Sequence, residues 1–132
     1  MGAGGKKRGD ILEDVGVYMR EGPGKRFIEP RLLFLLRSAP AHGYELIRRM
    51  EEVPLPGPLP DTGAVYRALR RMEEEGLVSS RWADAAVGPR RKVYRITPRG
   101  RRRLQVWAEA IRGRVMLLQR FLELCSTGEE RG

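Results

Sequence analysis

The spacing of apolar residues along the chain predicts a mainly helical protein. Between Asp10 and Arg20, apolar side chains recur at helical intervals behind an aspartate that can cap, which predicts a short amphipathic helix. A second helix, nearly all apolar and expected at the centre of the core, is predicted after Pro30 by "RLLFLLRS". Two further amphipathic helices are predicted by "HGYELIRRMEE", beginning at His42, and by "GAVYRALRRMEEEG", beginning at Gly63.

Prolines and an alternating pattern interrupt this helical periodicity. Between the third and fourth helices a proline occupies every second position from Pro54 to Pro60, which predicts a stiff connector. Farther along, strand patterns occur in "LVSSRWA" and "KVYRIT", which are joined by "DAAVGPRR" and predict a two-stranded hairpin. In this pattern Trp82 lies on the same side of its strand as Val78, and we expect its side chain to be internal.

The last helix carries a heptad pattern. We expect Thr97 to cap it and Pro98 to be its first residue. Apolar residues then follow at alternating intervals of four and three, at Leu104, Ala108, Ile111, Val115, Leu118, Leu122 and Cys125. Such a seam packs against another helix, and because the other helices are short we expect a homodimer interface rather than burial within one chain. A second apolar flank, expected to receive the N-terminal helix of the same or the partner subunit, consists of Trp107, Leu117, Phe121 and Leu124.

The charge balance narrows the class of partner. The 132 residues include 26 Lys and Arg against 17 Asp and Glu, a formal net charge of +9, which favours nucleic acid or a lipid surface. No apolar run approaches the roughly 20 residues that span a bilayer, and no apolar segment follows the basic N-terminus as in a secretion signal. The single cysteine, Cys125, fits a reducing compartment. We therefore expect a cytoplasmic protein with no membrane partner.

The chain contains few residues of the types and spacings that commonly form catalytic or metal sites. The chain has one histidine and one cysteine, and it lacks the common metal-binding pairs and any glycine-rich loop ahead of a Lys-Ser/Thr. We expect no enzyme, no cofactor and no metal site. The acidic run from Glu73 to Glu75 is interpreted as a solvated helix face that pairs with Arg70 and Arg71.

The fourth helix and the hairpin carry the charges that bear on function. Opposite its apolar stripe, the helix presents Tyr66, Arg67, Arg70 and Arg71. A helix with this face fits the major groove of DNA, although the same pattern also suits a merely solvated face. The hairpin connection ends in Arg90, Arg91 and Lys92, which at or near its tip offer a second contact to the same polyanion. Together these elements describe a winged helix-turn-helix domain, mainly α with a small β-hairpin.

Three ordered blocks of the chain resemble the signature blocks of the PadR family of bacterial transcriptional regulators. They are "HGYEL" at 42–46, "GAVYRALRRMEEEGLV" at 63–78 and "GPRRKVYRITPRG" at 88–100. The resemblance implies that Tyr66 meets DNA together with Arg90, Arg91 and Lys92 of the hairpin, which is the wing of this fold. It also implies that Tyr44 has a structural or backbone-contacting role. Thr62, at the start of the same helix, is grouped with these DNA-contacting residues. Where such sequences usually read Thr-Leu-Tyr-Pro, this one reads Ala-Val-Tyr-Arg and gains Arg67. The operator sequences of other family members therefore cannot be assigned to this protein.

These patterns divide the chain into five predicted segments. They are a disordered basic tail at 1–9, an N-terminal helix and linker at 10–26, the winged helix-turn-helix domain at 27–97, the dimerisation helix at 98–125 and a tail at 126–132. We expect a homodimeric repressor that binds a pseudo-palindromic operator in double-stranded DNA, with half-sites about 34 to 36 Å apart or a multiple of that.

Two details of this hypothesis concern the last helix. The resemblance implies release of DNA by a small aromatic effector that enters between the dimer helices and the DNA-binding lobes. Trp107 is the candidate for stacking on it; its other interpretation is a core residue that anchors the helix. Three consecutive arginines, Arg101, Arg102 and Arg103, lie where the helix dipole disfavours cations, and they are interpreted as phosphate contacts.

Two other functions stay open at this point. One is a winged-helix protein-interaction module that binds nucleic acid only nonspecifically; the tyrosine and arginine pair on the fourth helix argues against it. The other is a basic RNA-binding domain, which is disfavoured by the absence of an aromatic stacking platform if both tryptophans are internal.

Overall fold

The computed structural model describes residues 27–131, so the predicted tail at 1–9 and helix at 10–20 lie outside the described residues. It contains four helices and three strands, which we number in chain order. They are α1 (Ile28–Ser38), β1 (Ala41–His42), α2 (Gly43–Glu52), α3 (Thr62–Glu74), β2 (Val78–Ala83), β3 (Arg91–Ile96) and α4 (Pro98–Arg131). This architecture confirms the predicted fold class, mainly α with a small sheet.

Helices α2 and α3 begin where side chains cap their free amide groups. His42 precedes α2, and its Nδ1 accepts a hydrogen bond from the backbone N–H of Glu45 at 3.2 Å. Asp61 precedes α3, and its Oδ1 accepts from the backbone N–H of Ala64 at 2.7 Å. Each cap satisfies an amide that has no partner within its helix. Thr62 is therefore the first residue of α3 rather than its cap.

The beginning of α1 differs from the prediction. The helix starts at Ile28, ahead of Pro30, which lies within the first turn. A proline is tolerated there because the first amide groups of a helix have no intrahelical acceptor. The buried residues of α1 include Leu32, Leu33 and Leu36, which places this helix at the centre of the core as predicted.

The sheet has three strands rather than the two that the alternating pattern predicted. Its order is β1-β3-β2 with antiparallel pairing throughout. The added strand, β1, pairs Ala41 with Tyr94 and His42 with Val93. A two-residue strand is too short to show an alternation of apolar and polar residues, so sequence periodicity does not reveal it. It joins the beginning of α2 directly to the wing.

Thr97 and Gly100 fix the start of α4 against the end of α3. The Thr97 hydroxyl donates to the carbonyl oxygen of Gly76 at 2.7 Å and accepts from the backbone N–H of Gly100 at 3.0 Å, which confirms the predicted cap. A Cβ at Gly100 would overlap the carbonyl oxygen of Leu77. Glycine is required here because the two backbone segments touch.

A buried ion cluster connects α4 to α1 and α3. Arg103 contacts both carboxylate oxygens of Glu29 at 3.2 Å and Glu75 Oε2 at 3.4 Å. All three side chains are almost completely buried. The interpretation of Arg103 as a phosphate contact is therefore wrong, and so is that of Glu75 as part of a solvated face. Arg103 lies one helical turn before the buried Trp107 and faces the same way, onto carboxylates that come from distant parts of the sequence.

The predicted seam on α4 divides into two parts. Leu104 and Ile111 pack against apolar clusters of their own chain. Beyond this point the helix extends past Cys125 to Arg131, and the large apolar residues of its outer half are exposed. They are Val115, Met116, Leu117, Leu118, Phe121, Leu122 and Leu124. The homodimer interface stays a prediction, and this outer half is the part of α4 to which it now applies.

Candidate nucleic-acid interface

The exposed face of α3 carries the residues that sequence analysis proposed for DNA recognition. The apolar stripe of the helix, Val65, Ala68, Leu69 and Met72, is buried. The opposite face presents Thr62, Tyr66, Arg67, Arg70 and Arg71 to solvent. Helical periodicity produces this separation, because one stripe of α3 packs into the core and the opposite one faces away from it.

Tyr66 packs against the beginning of α2. A Cβ built on Gly43 would lie 2.7 Å from the Tyr66 Cζ and 2.9 Å from its hydroxyl oxygen. The Tyr66 ring can occupy this position only because Gly43 has no side chain. The two motifs "HGYEL" and "GAVYRALRR" meet at this contact. The sequence does not reveal this role of Gly43, because a glycine at the start of a helix is common for other reasons.

Glu73 ties the wing to α3. Its Oε1 lies 3.1 Å from Lys92 Nζ, and its Oε2 accepts a hydrogen bond from the Ser80 hydroxyl. The Ser80 hydroxyl, followed by Lys92, lowers the pKa of the Glu73 carboxyl, while the hydrogen bond to Glu73 raises the pKa of Lys92. Glu73 therefore pairs across to the wing and not along its own helix with Arg70. Lys92 lies one residue pair from the hairpin connection, and its ammonium group contacts Glu73 of α3.

The two arginines that precede Lys92 point to different partners. Arg90 Nε lies 3.4 Å from Asp84 Oδ1, and both side chains are largely exposed, so this pair contributes little to stability. Arg91 Nη1 lies 3.1 Å from His42 Nε2, at the cap of α2. The wing, the start of α2 and the exposed face of α3 thus form one continuous basic surface.

A pocket of about 640 Å³ opens at the centre of this surface, between α3 and the wing. Its walls carry four aromatic side chains among basic ones: Tyr44, Tyr66, Trp82 and Tyr94, with Arg70, Arg90, Arg91 and Lys92. The structure thus brings together most of the residues that sequence analysis assigned to DNA. Arg67, Arg71 and Thr62 lie on α3 outside the pocket.

The prediction that Trp82 is internal is wrong. Its side chain is 58% exposed, whereas Val78 on the same strand is buried. Trp82 pairs with Lys92 in the sheet, one residue pair from the hairpin connection. Alternation correctly gives the side of a strand but not where the covering helices end. The wing therefore does carry an exposed aromatic side chain, contrary to the expectation from the sequence.

Trp107 is the buried tryptophan. It is 1% exposed, its indole N–H donates to Glu29 Oε2 at 2.7 Å, and its ring meets Phe27 edge to face with centroids 6.2 Å apart. These contacts match its interpretation as a core residue that anchors α4. In this conformation the ring has no open face on which a ligand could stack.

The described residues carry neither a membrane span nor a metal-binding cluster. Within residues 27–131, none of the helices combines the length and apolar character needed to cross a bilayer. The same part of the chain contains no group of three or more His, Cys, Asp or Glu side chains placed to hold a metal ion.

Comparison with known proteins identifies the family. The model of the "Transcriptional regulator PadR-like family" matches residues 32–106, more than half of the chain, from α1 into α4. The chain belongs to the PadR-like family of transcriptional regulators. Members of this family are transcriptional regulators, and the resemblance inferred from the three sequence blocks is confirmed together with the expectation that the protein is not an enzyme. No curated protein sequence gave a significant match.

Solved structures of PadR-like proteins share this fold. A PadR family regulator from Clostridium difficile is 27% identical, with a TM-score of 0.63, over 73% of this chain and 98% of the other. A protein from Thermoplasma acidophilum, described as a "putative transcriptional regulator", is 30% identical, with a TM-score of 0.61, over 75% and 93% of the two chains. Bacillus subtilis PadR, solved in complex with operator DNA, is 21% identical and matches 62% of this chain and 47% of its own, with a TM-score of 0.56. That last likeness concerns the fold alone.

Proposed function

We propose that this PadR-like protein is a repressor that binds a pseudo-palindromic operator as a homodimer. The observation that carries the proposal is the basic surface formed by α3, the start of α2 and the wing. Tyr66, Arg67 and Arg70 would enter the major groove with α3, while Arg90 and Arg91 would contact the flanking backbone. The Bacillus subtilis PadR complex, which contains operator DNA, makes duplex DNA the first ligand to test.

The outer half of α4 supports the dimeric part of this proposal. Its large apolar side chains are exposed in one described chain, and a patch of this kind on a regulator is the usual site of subunit contact. Two α3 helices in such a dimer would require half-sites about 34 to 36 Å apart or a multiple of that. A protein-interaction module remains the second candidate, because the same apolar face suits a different partner chain.

Release by a small aromatic effector is also part of the proposal, and at Trp107 it requires a change of conformation. A ligand that stacked on Trp107 would have to separate α4 from α1 and break the hydrogen bond to Glu29. Effector binding at this position would thereby be coupled to a change in the angle between α4 and the DNA-binding domain, which is a route to altered spacing of the two recognition helices.

The wing is tested by the salt dependence of DNA affinity. We expect the double variant Arg90→Ala, Arg91→Ala to weaken binding to operator and to random duplexes alike, because backbone contacts are independent of sequence. The slope of log affinity against log salt should become shallower by roughly 0.9 for each phosphate that the variant no longer neutralises. Fluorescence anisotropy with labelled duplexes at several salt concentrations measures both effects.

The matched control for the wing variant removes the same charge elsewhere. Arg112→Ala, Arg120→Ala takes two exposed arginines from α4, far along the helix from the basic surface. We expect the slope of this variant to equal that of the parent protein. Equal slopes for the parent and the wing variant would exclude the wing from the interface.

Gly43 is expected to control DNA discrimination through Tyr66. Gly43→Ala pushes a methyl group into the Tyr66 ring, which is half-exposed and free to move outward, while alanine itself favours the helix. Thermal stability should be unchanged or higher, whereas affinity for an operator selected from random DNA should fall about tenfold, with little change on random duplexes.

A double-mutant cycle separates this positioning role from a direct one. In a Tyr66→Ala background, Gly43→Ala should cause no further loss of discrimination, since the ring it displaces is gone. Gly113→Ala, at a position with open space on α4, is the control for glycine replacement in a helix. Additive losses in the double variant would show that Gly43 acts independently of Tyr66.

A further inference from the structure

Two exposed aromatic side chains border the pocket between α3 and the wing. Trp82 is 58% exposed and Tyr44 is 67% exposed, and both line the same concavity. Exposed tryptophan and tyrosine side chains grouped around a concave surface are characteristic of contact sites, because they bury much apolar area on binding while a polar group remains available for hydrogen bonding. Trp82 and Tyr44 therefore mark this pocket as a candidate binding site.

The charges around the pocket select the chemistry of that occupant. Arg70 contributes a cation from α3 and Arg91 one from β3, while Arg90 lies at the hairpin connection in a weak, exposed pair with Asp84. Glu73 also pairs with a lining cation, because its Oε1 lies 3.1 Å from Lys92 Nζ, and its Oε2 accepts a hydrogen bond from Ser80. The occupant that matches aromatic walls set among cations is an anion with apolar parts, and a sugar–phosphate strand alternates the two.

The position of the pocket relative to α3 identifies the strand. Tyr66 and Arg70 of α3 form one wall and the wing forms the other, so the backbone that borders the major groove would pass through the pocket when α3 lies in that groove. We infer that this pocket seats one sugar–phosphate strand of duplex DNA, with the Trp82 indole packed on a deoxyribose and Arg70 and Arg91 on the adjoining phosphates. This inference rests on the proposed DNA-binding function. It adds Trp82 to the DNA-contacting residues.

The two tryptophans make a direct test available in the unmodified protein. We expect acrylamide to quench the emission of exposed Trp82 much more than that of Trp107 in the core. A saturating random-sequence duplex at low salt should reduce the quenching of Trp82 to the level of Trp107. The quenching of Trp107 by itself is measured in the Trp82→Ala variant. Trp82→Ala should weaken binding to every duplex about tenfold, and Trp82→Phe should retain most of the affinity.

Controls separate this inference from the proposed function. Leu59→Ala removes an equally exposed apolar side chain outside the pocket and should change affinity less than about twofold. Duplex binding that leaves Trp82 quenching unchanged would overturn the inference while DNA binding itself stood. A single-stranded oligonucleotide that bound more tightly than the duplex and protected Trp82 would replace it with a base-stacking platform. If no duplex bound, the proposed function and the inference would both fail.

Discussion

Replacement of Arg103 by methionine will lower the free energy of unfolding by about 3 to 5 kcal/mol. Methionine fills a similar space but removes the cation that contacts two buried carboxylates, Glu29 and Glu75. Their charges stay in a region that water does not reach, and this accounts for most of the cost. Chemical denaturation followed by circular dichroism measures the loss, with Arg102→Met as the control. Arg102 is an exposed neighbour on the same helix, and its replacement should change stability by less than about 0.5 kcal/mol.

A second set of variants assigns the loss to the buried charges. When Glu29 and Glu75 are both replaced by glutamine, the site no longer needs a cation, and Arg103→Met should then cost much less than in the parent protein. An equal cost in both backgrounds would mean that the packing of the arginine, and not its charge, stabilises the fold. Because Glu75 is the C-terminal cap of α3 and Arg103 lies on α4, the same cluster connects the end of α3 to the long helix.

Replacement of Leu118 by glutamate will convert the proposed dimer to monomers and abolish high-affinity operator binding. Leu118 is 48% exposed in one chain, within the apolar outer half of α4. In a dimer the charge would be buried twice, at a cost of several kcal/mol across the two copies. Separation of the two subunits should then reduce operator affinity by about 10²- to 10⁴-fold, since binding to the second half-site is no longer intramolecular. Sedimentation equilibrium and anisotropy measure the two effects.

Gln119→Glu provides the control for the dimer variant. It adds the same charge at the neighbouring exposed position, outside the predicted seam, and should leave the assembly intact. Because Leu118 makes part of an exposed surface, the glutamate variant should keep its fold as a monomer, which circular dichroism verifies. A Leu118→Glu protein that still sedimented as a stable dimer would place the interface elsewhere on the chain.

The basic surface illustrates which site residues periodicity reveals. Tyr66, Arg67 and Arg70 were found because a helix with one buried stripe must expose the opposite one. Trp82 and Gly43 were missed for different reasons. Alternation places Trp82 on the core side of β2 but does not tell that β2 runs beyond the core. The role of Gly43 depends on a ring that lies more than twenty positions away in the sequence and meets it only in the folded domain.

The acidic run at the end of α3 shows the limit of inference from local charge spacing. Three adjacent glutamates looked like a solvated face paired along the helix at short intervals. In the structure Glu73 contacts the wing and Glu75 contacts α4, because the elements that follow α3 bring Lys92 and Arg103 to them. Local spacing gives the partners that a residue has within its helix. It contains no information on competing partners that arrive from other elements.

The sequence by itself determined helices α1 to α4, the hairpin, the cap of α4 and the family, because periodicity, capping residues and motif blocks are local properties of the chain. The tertiary structure alone decided which charges are buried, which tryptophan is exposed and which residues connect the wing to α3. Those properties arise from contacts such as Arg103 with Glu29, whose side chains are separated by most of the domain in sequence and meet at 3.2 Å. Burial is a property of the whole packed molecule, and a side chain's exposure therefore depends on where its neighbouring elements end.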